Sequence, residues 1–83
     1  MQTTHMVINS LPVSVTYSVV DGPPDKATHL DESGRFWKGD KVSIFNHYEG
    51  RDIEEKEIAP IMEYLYHEGF ILDRRTEYEV IEA

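Results

Sequence analysis

The strongest constraint on the fold is the alternation of apolar and polar residues over 13–20, VSVTYSVV. From 13 to 19, the odd-numbered positions are valine or tyrosine, and the even-numbered positions between them are serine or threonine. This pattern of β-branched and aromatic residues is typical of a strand with one buried face. We therefore predict an antiparallel strand. It should end at Asp21-Gly22-Pro23-Pro24, because proline cannot donate a hydrogen bond to a sheet.

A second alternation covers residues 41–48, KVSIFNHY, with apolar residues on both faces. Such a pattern predicts a central strand of the sheet. Before it, the residues 31–34 (DESG) have the composition of a tight turn, and 35–38 (RFWK) suit a short returning strand. Gly39-Asp40 would then be a second turn.

An amphipathic helix is predicted at about 53–68. Its apolar residues follow the i, i+3, i+4, i+7 spacing of one helical stripe: Ile58, Ile61, Met62 and Leu65. Asp52 and Glu55 resemble a capping box at its start, and Gly69 should stop it. Pro60 has two interpretations. Either the main helix begins near Ala59 with Pro60 at its first position, which we favour, or one helix is kinked at Pro60.

The end of the chain is predicted to be a hairpin, with short strands at 70–72 and 77–82 joined by a turn at 73–76. Together these elements predict an α+β domain in which one helix packs on a small, largely antiparallel sheet of three to five strands. The 83 residues suit a single domain, 1–83, with 1–10 as a flexible N-terminal segment. A chain this short buries a modest share of its surface, so a homodimer or a bound partner could add stability.

The charge is unevenly distributed. Sixteen acidic and eight basic residues give a net charge of −8. Residues 49–83 hold eleven of the acids and four of the bases, a net of −7. This field opposes direct binding to nucleic acid or to an anionic membrane and favours a basic protein surface. The candidate binding residues are the acids of the helix: Glu54, Glu55, Glu57, Glu63 and Glu68. Acids are also the usual route to solubility, so a solvated face is the plainer interpretation.

Aromatic anchors are candidates beside these acids. Tyr64 and Tyr66 are two apart on the helix and point in nearly opposite directions, so at least one should be exposed. Trp37 lies near a predicted turn. Because Trp and Tyr are enriched at binding hot spots, these three residues are candidate contacts, although each taken singly is more often part of a core.

No motif for catalysis or for a cofactor is present, and we predict a non-enzymatic protein without a metal. Glu63 and His67 are four apart on the helix, but no third ligand has a recognisable spacing. The chain has no cysteine, no apolar run of about 20 residues and no signal-peptide pattern. We therefore expect a cytoplasmic location.

The segment 23–38, PPDKATHLDESGRFWK, resembles a phrase of small phage and prophage accessory proteins, a PP-x-x-ATH run followed by a turn and an aromatic-Lys end. The resemblance implies a phage protein of unknown function in a bacterial host, and it carries over no functional residues. Small acidic proteins of this kind resemble inhibitors of host nucleic-acid machinery, some of which act as DNA mimics. The alternative is a structural or self-assembling oligomer with no inhibitory role.

Overall fold

The computed structural model describes residues 2–20 and 29–82. The turn predicted at 21–24 and the Pro-Pro part of the segment 23–38 lie outside these residues. The described elements, in chain order, are β1 (Gln2–Ile8), β2 (Leu11–Val19), β3 (His29–Leu30), β4 (Phe36–Asn46), α1 (Glu55–His67) and β5 (Tyr78–Glu82). One helix packed with a small, mostly antiparallel sheet confirms the predicted α+β class.

The first ten residues, expected as a flexible segment, instead contain a strand. β1 pairs with β2 in an unbroken antiparallel register from Gln2–Tyr17 to Ile8–Leu11. The connection is a two-residue turn in which Asn9 and Ser10 have φ angles of 51° and 68°. Positive φ at both positions is the geometry of a type I′ turn, which suits the twist of a hairpin and which asparagine tolerates well.

β4 is the central strand, as predicted for residues 41–48. It pairs antiparallel with β2 along one edge, and its other edge is shared by β3, which is antiparallel, and β5, which is parallel. Gly39 and Asp40 do not form the turn that we predicted between two strands. The register with β2 shifts between Thr16 and Tyr17, which face Lys41 and Gly39, so Asp40 is the extra residue of a β-bulge within one long strand.

The predicted C-terminal hairpin is wrong. Residues 70–72 do not pair with 77–82; Ile71 instead forms an isolated parallel bridge with Gly39. β5 lies parallel to β4, from Val42–Tyr78 to Asn46–Glu82, with α1 as the crossover between them. The local turn at the predicted position is real, with the Thr76 amide donating to the Asp73 carbonyl at 2.9 Å. It redirects the chain toward β4 rather than back along itself.

α1 runs without a break from Glu55 to His67, with Pro60 inside it. The interpretation that the main helix starts near Ala59 is therefore wrong. The N-cap is Glu54 and not Asp52, and its capping box is completed by Glu57, whose carboxylate accepts the Glu54 amide at 2.9 Å. Gly69 (φ 81°) ends the helix as predicted.

The core lies between α1 and one face of the sheet. Its helical side is the predicted stripe of Ile58, Ile61, Met62 and Leu65, all buried. Its sheet side comes from the alternate residues of β2 and β4, among them Val15, Val42 and Ile44, which have no exposed surface. The opposite face of the sheet carries the serine and threonine residues of β2. Only one face of the sheet is therefore covered by the helix.

Candidate protein-binding surface

A groove runs between α1 and the start of β5, and we call it the α1–β5 groove. It encloses about 230 Å³. Seven residues line it: Glu55, Ile58, Ala59, Met62, Glu63, Arg74 and Tyr78. Its position follows from the parallel crossover, since α1 packs on one face of the sheet and β5 lies within that sheet, next to β4, so that Tyr78 lies beside the helix. The groove therefore exists only because the C-terminal segment does not fold back as a hairpin.

The floor of the groove is apolar and its rim is acidic. Ile58 and Met62 belong to the buried helical stripe, whereas Tyr78 keeps 43% of its surface exposed. Glu55, Ala59 and Glu63 are spaced four apart and so form one line along α1 above this floor. Two carboxylates about two helical turns apart thus flank an apolar surface.

The two rim carboxylates differ in their partners. Glu63 lies between Arg74, with an N–O distance of 3.0 Å, and His67, at 3.3 Å. Glu55 has no ion-pair partner within the described residues. Arg74 also lies over the ring of Tyr66, with its guanidinium carbon 4.8 Å from the ring centroid. A guanidinium of the chain itself therefore occupies one end of the acidic rim.

The other predicted acids lie elsewhere around the helix. At a rotation of about 100° per residue, Glu57 lies about 200° from Glu55, and Glu68 falls near Glu57. Glu54 pairs with Lys56 at 3.0 Å. The five acids therefore surround α1 instead of forming one face, and the groove brings together two of them, Glu55 and Glu63.

Glu57 holds the start of α1. Arg51 donates two hydrogen bonds to its carboxylate, at 2.9 and 3.0 Å, and lies 3.7 Å from the centroid of the Tyr48 ring. The hydrogen bonds from Arg51, followed by that from the Glu54 amide, lower the pKa of Glu57 to about 2. Its side chain is only 23% exposed. These contacts give Glu57 a structural role at the helix start.

The aromatic candidates also separate. Trp37 is buried, and its indole N–H donates to the Asp31 carboxylate at 2.6 Å. Tyr66 is half-buried beneath Arg74, whereas Tyr64 is 45% exposed, which agrees with the expectation that the pair point apart. The exposed aromatic residue in the groove is Tyr78. It lies on the same face of β5 as Val80, opposite Val42 of β4, and was not among the predicted aromatic candidates.

Asp31 organises the turn before β4. Its carboxylate accepts hydrogen bonds from the Ser33 hydroxyl, the Arg35 amide and the Trp37 indole, at 2.6, 3.0 and 2.6 Å. These bonds, that from Ser33 first, lower the pKa of Asp31 to about 2. The predicted turn at 31–34 is confirmed, with Gly34 at a φ of 84°.

In the parts of the chain that the structure describes, no group of three or more His, Asp or Glu side chains is arranged to hold a metal ion. Across residues 2–20 and 29–82, no helix combines the length and apolar character needed to cross a bilayer. Comparisons of the chain with protein families, with curated proteins and with solved structures found no match.

Proposed function

We propose that this chain is a small, non-catalytic binding protein whose α1–β5 groove receives a basic segment of a partner protein. The observation that carries the proposal is the apolar floor of Ile58, Met62 and Tyr78 between the carboxylates of Glu55 and Glu63. The aliphatic stem of a lysine or arginine packs on such a floor while its charged end reaches a carboxylate. Tyr78 adds an aromatic surface for a guanidinium.

The position of Arg74 supports this ligand chemistry. Its guanidinium already pairs with Glu63 and lies over the aromatic ring of Tyr66, and a partner's arginine would make contacts of the same kind with a rim carboxylate and Tyr78. The Arg74 side chain is 54% exposed, so its pair with Glu63 is of the weak, solvent-screened kind. In this proposal Arg74 competes with the partner for Glu63.

The net charge of −8 supports a basic partner at longer range, because a negative field speeds the approach of a positive surface. With the resemblance of residues 23–38, the proposal extends to a phage-encoded inhibitor or adaptor of a host protein that handles nucleic acid, in the bacterial cytoplasm. Mimicry of DNA phosphates has less support than the groove, since Arg51, Lys56 and Arg74 interrupt the acids of α1.

The test uses a fluorescein-labelled peptide of alternating arginine and leucine, with glutamate in place of arginine in the control peptide. Binding is measured by fluorescence anisotropy at 50 and 300 mM salt. We expect the arginine peptide to bind, more weakly at high salt, and the glutamate peptide not to bind. Glu55→Gln should weaken binding about tenfold, because a charge-assisted hydrogen bond contributes about 1.5 kcal/mol.

Two matched controls separate the groove from the general charge. Glu68→Gln removes the same charge outside the groove and should leave the affinity nearly unchanged. Arg74→Gln should tighten binding by releasing Glu63, whereas Arg75→Gln, the same change one residue away, should not. Equal effects of Glu55→Gln and Glu68→Gln would assign binding to the overall charge and refute the groove.

A further inference from the structure

β1 forms one outer edge of the sheet. The strand order is β1-β2-β4-β3, and among the described residues only β2 pairs with β1. The closing pair of its two-residue hairpin, Ile8–Leu11, is hydrogen bonded, and hydrogen-bonded pairs alternate along an antiparallel ladder. The amide and carbonyl groups of Thr3, His5 and Val7 therefore face away from β2. Pro12 agrees with this pattern, since it lacks an N–H and lies opposite Val7.

Within residues 2–20 and 29–82, this edge lacks the usual protection against pairing with another strand. Natural edges carry charges, prolines or bulges. Residues 2–8, QTTHMVI, contain no Asp, Glu, Lys, Arg, Pro or Gly, and their register with β2 is unbroken. Val7 is 72% exposed on this strand. β5, which lies beside β4 on the side away from β1 and β2, contains Glu79 and Glu82 and follows Glu77.

We propose that β1 pairs with β1 of a second copy of this chain, antiparallel, with the two His5 residues opposite each other on a two-fold axis. The three outward-facing residues, Thr3, His5 and Val7, are symmetric about His5. In this register each Thr3 faces Val7 of the other copy, and six main-chain hydrogen bonds form. A two-fold axis also closes the assembly at two copies, as isologous interfaces do.

The side chains suit this register. Even-numbered residues of one β1 lie opposite even-numbered residues of the other, and odd opposite odd. The helix-covered faces of the two sheets therefore join into one continuous face. Thr4 then lies beside Met6 of the other copy, and Met6 already packs at the margin of the core. On the open face, the exposed Val7 gains Thr3 of the other copy as its cross-strand neighbour.

The charge distribution favours a second copy at this edge over any other. Two chains of net charge −8 repel each other, but residues 1–48 carry only −1 of that charge. In the paired arrangement β5 of each copy lies at an outer end of an eight-strand-wide sheet. Seven spacings of about 4.8 Å separate the two β5 strands by roughly 34 Å, several times the Debye length of about 8 Å at physiological salt. This inference does not depend on the proposed function.

The first test compares His5→Pro with His5→Ala by light scattering over a concentration series. The wild-type chain should have twice the monomer mass of 9.6 kDa. His5→Pro removes an N–H that faces the second copy and leaves the main-chain hydrogen bonds to β2 in place, so it should be monomeric. Both variants lose the side-chain hydrogen bond between His5 and Ser14 of β2, so that loss does not distinguish them. His5→Ala keeps that N–H and should remain a dimer. Circular dichroism of both variants is the control for folding.

The second test fixes the register by disulfide formation. The chain has no cysteine, so single substitutions are unambiguous. Under mild oxidation, His5→Cys should link two copies, because opposite residues have Cα atoms about 5.5 Å apart. Val7→Cys should not, because the two positions lie about 14 Å apart along the strands.

Three outcomes would overturn this proposal. They are a wild-type monomer at every concentration, a dimer that His5→Pro does not disrupt, and linkage through Val7→Cys in preference to His5→Cys. In the second case a different surface forms the dimer. The proposed peptide binding stands or falls separately from these outcomes, because no residue of β1 lines the α1–β5 groove.

Discussion

At the scale of single residues, Glu57 is an acidic residue whose charged carboxylate holds the start of α1. Its carboxylate accepts two hydrogen bonds from Arg51 and one from the Glu54 amide, and these partners lower its pKa to about 2 from an ordinary value of 4.5. A lowered folded-state pKa means that the unfolded chain binds the proton more tightly. The carboxylate thus stabilises the fold at neutral pH.

The stability contributed by Glu57 should be complete above about pH 4.5 and should be lost as the pH falls toward 2. Glu57→Gln should therefore lower the urea midpoint at pH 7 and reduce its dependence on pH between 5 and 2.5. Glu68→Gln is the matched control, with the same loss of charge outside this network. A variant at Glu57 that keeps the full wild-type pH dependence would contradict the prediction.

There is no room for a side chain at Gly39. A Cβ atom at this position would lie 2.1 Å from the Phe70 carbonyl oxygen and 2.7 Å from Val15 Cγ1. Because the first neighbour is main chain, Gly39→Ala should destabilise the fold by roughly 3 kcal/mol, at the upper end of overpacking effects. Gly34→Ala meets no atom within 4 Å and should cost about 1 kcal/mol through its positive φ alone. Urea unfolding of both variants measures the difference, and equal costs would argue against the close approach.

At the scale of elements, Pro60 weakens the helix that contains it. The Pro60 position lies beyond the first turn of α1, so its nitrogen cannot donate to the Lys56 carbonyl. Pro60→Ala should stabilise the fold by about 2 kcal/mol. Alanine is favoured over proline in a helix by roughly 3 kcal/mol, and about 1 kcal/mol of this is offset because alanine gives the unfolded chain more conformational entropy. Ala59→Gly, at the neighbouring exposed position, should instead destabilise it. A lower urea midpoint for Pro60→Ala would refute this expectation.

Local patterns predicted which segments form strands and a helix, but they did not predict which strands pair. The alternation at 13–20 and at 41–48 and the stripe from Ile58 to Leu65 all mark elements that the structure contains. Residues 70–82 have the turn of a hairpin, yet β5 pairs with β4, thirty-six positions earlier in the chain. No local pattern in residues 70–82 indicates that β5 pairs with β4.

The start of α1 shows a related ambiguity. The sequence offers two overlapping capping boxes, Asp52 with Glu55 and Glu54 with Glu57. The second is used, because Arg51 fixes the Glu57 carboxylate and Ile53 is buried before the helix begins. Spacing alone does not distinguish these alternatives, since the choice depends on contacts outside the box.

At the scale of the whole molecule, the charge should act against the fold at low ionic strength. Acids outnumber bases by eight, and several acids, Glu55 and Glu68 among them, have no ion-pair partner within the described residues. Raising the salt from 20 to 300 mM should therefore raise the thermal midpoint, since screening weakens the repulsion. Glu68→Gln should show a smaller rise. A midpoint that falls with salt would show that the ion pairs outweigh the repulsion.

The groove could not have been predicted from the sequence, although several of its residues were predicted as binding acids or as the apolar stripe of the helix. Glu55 and Glu63 were among the predicted acids, and the apolar stripe was identified. Tyr78 completes the groove only because β5 is parallel to β4 and lies beside α1. The chemical character of this surface was therefore predictable from the sequence, whereas its shape depends on the crossover.

The difference between the two edges of the sheet has a consequence for polymerisation at high concentration. A β-sheet in which both edge strands are unprotected can polymerise without limit, because each added copy leaves another edge strand free to pair. Here the far edge carries the acidic strand β5, whereas β1 contains no Asp, Glu, Lys or Arg and, in the proposed pairing, is covered once by a second copy. If β1 pairs with a second copy as we propose, the chain forms a closed pair and does not extend into a fibre.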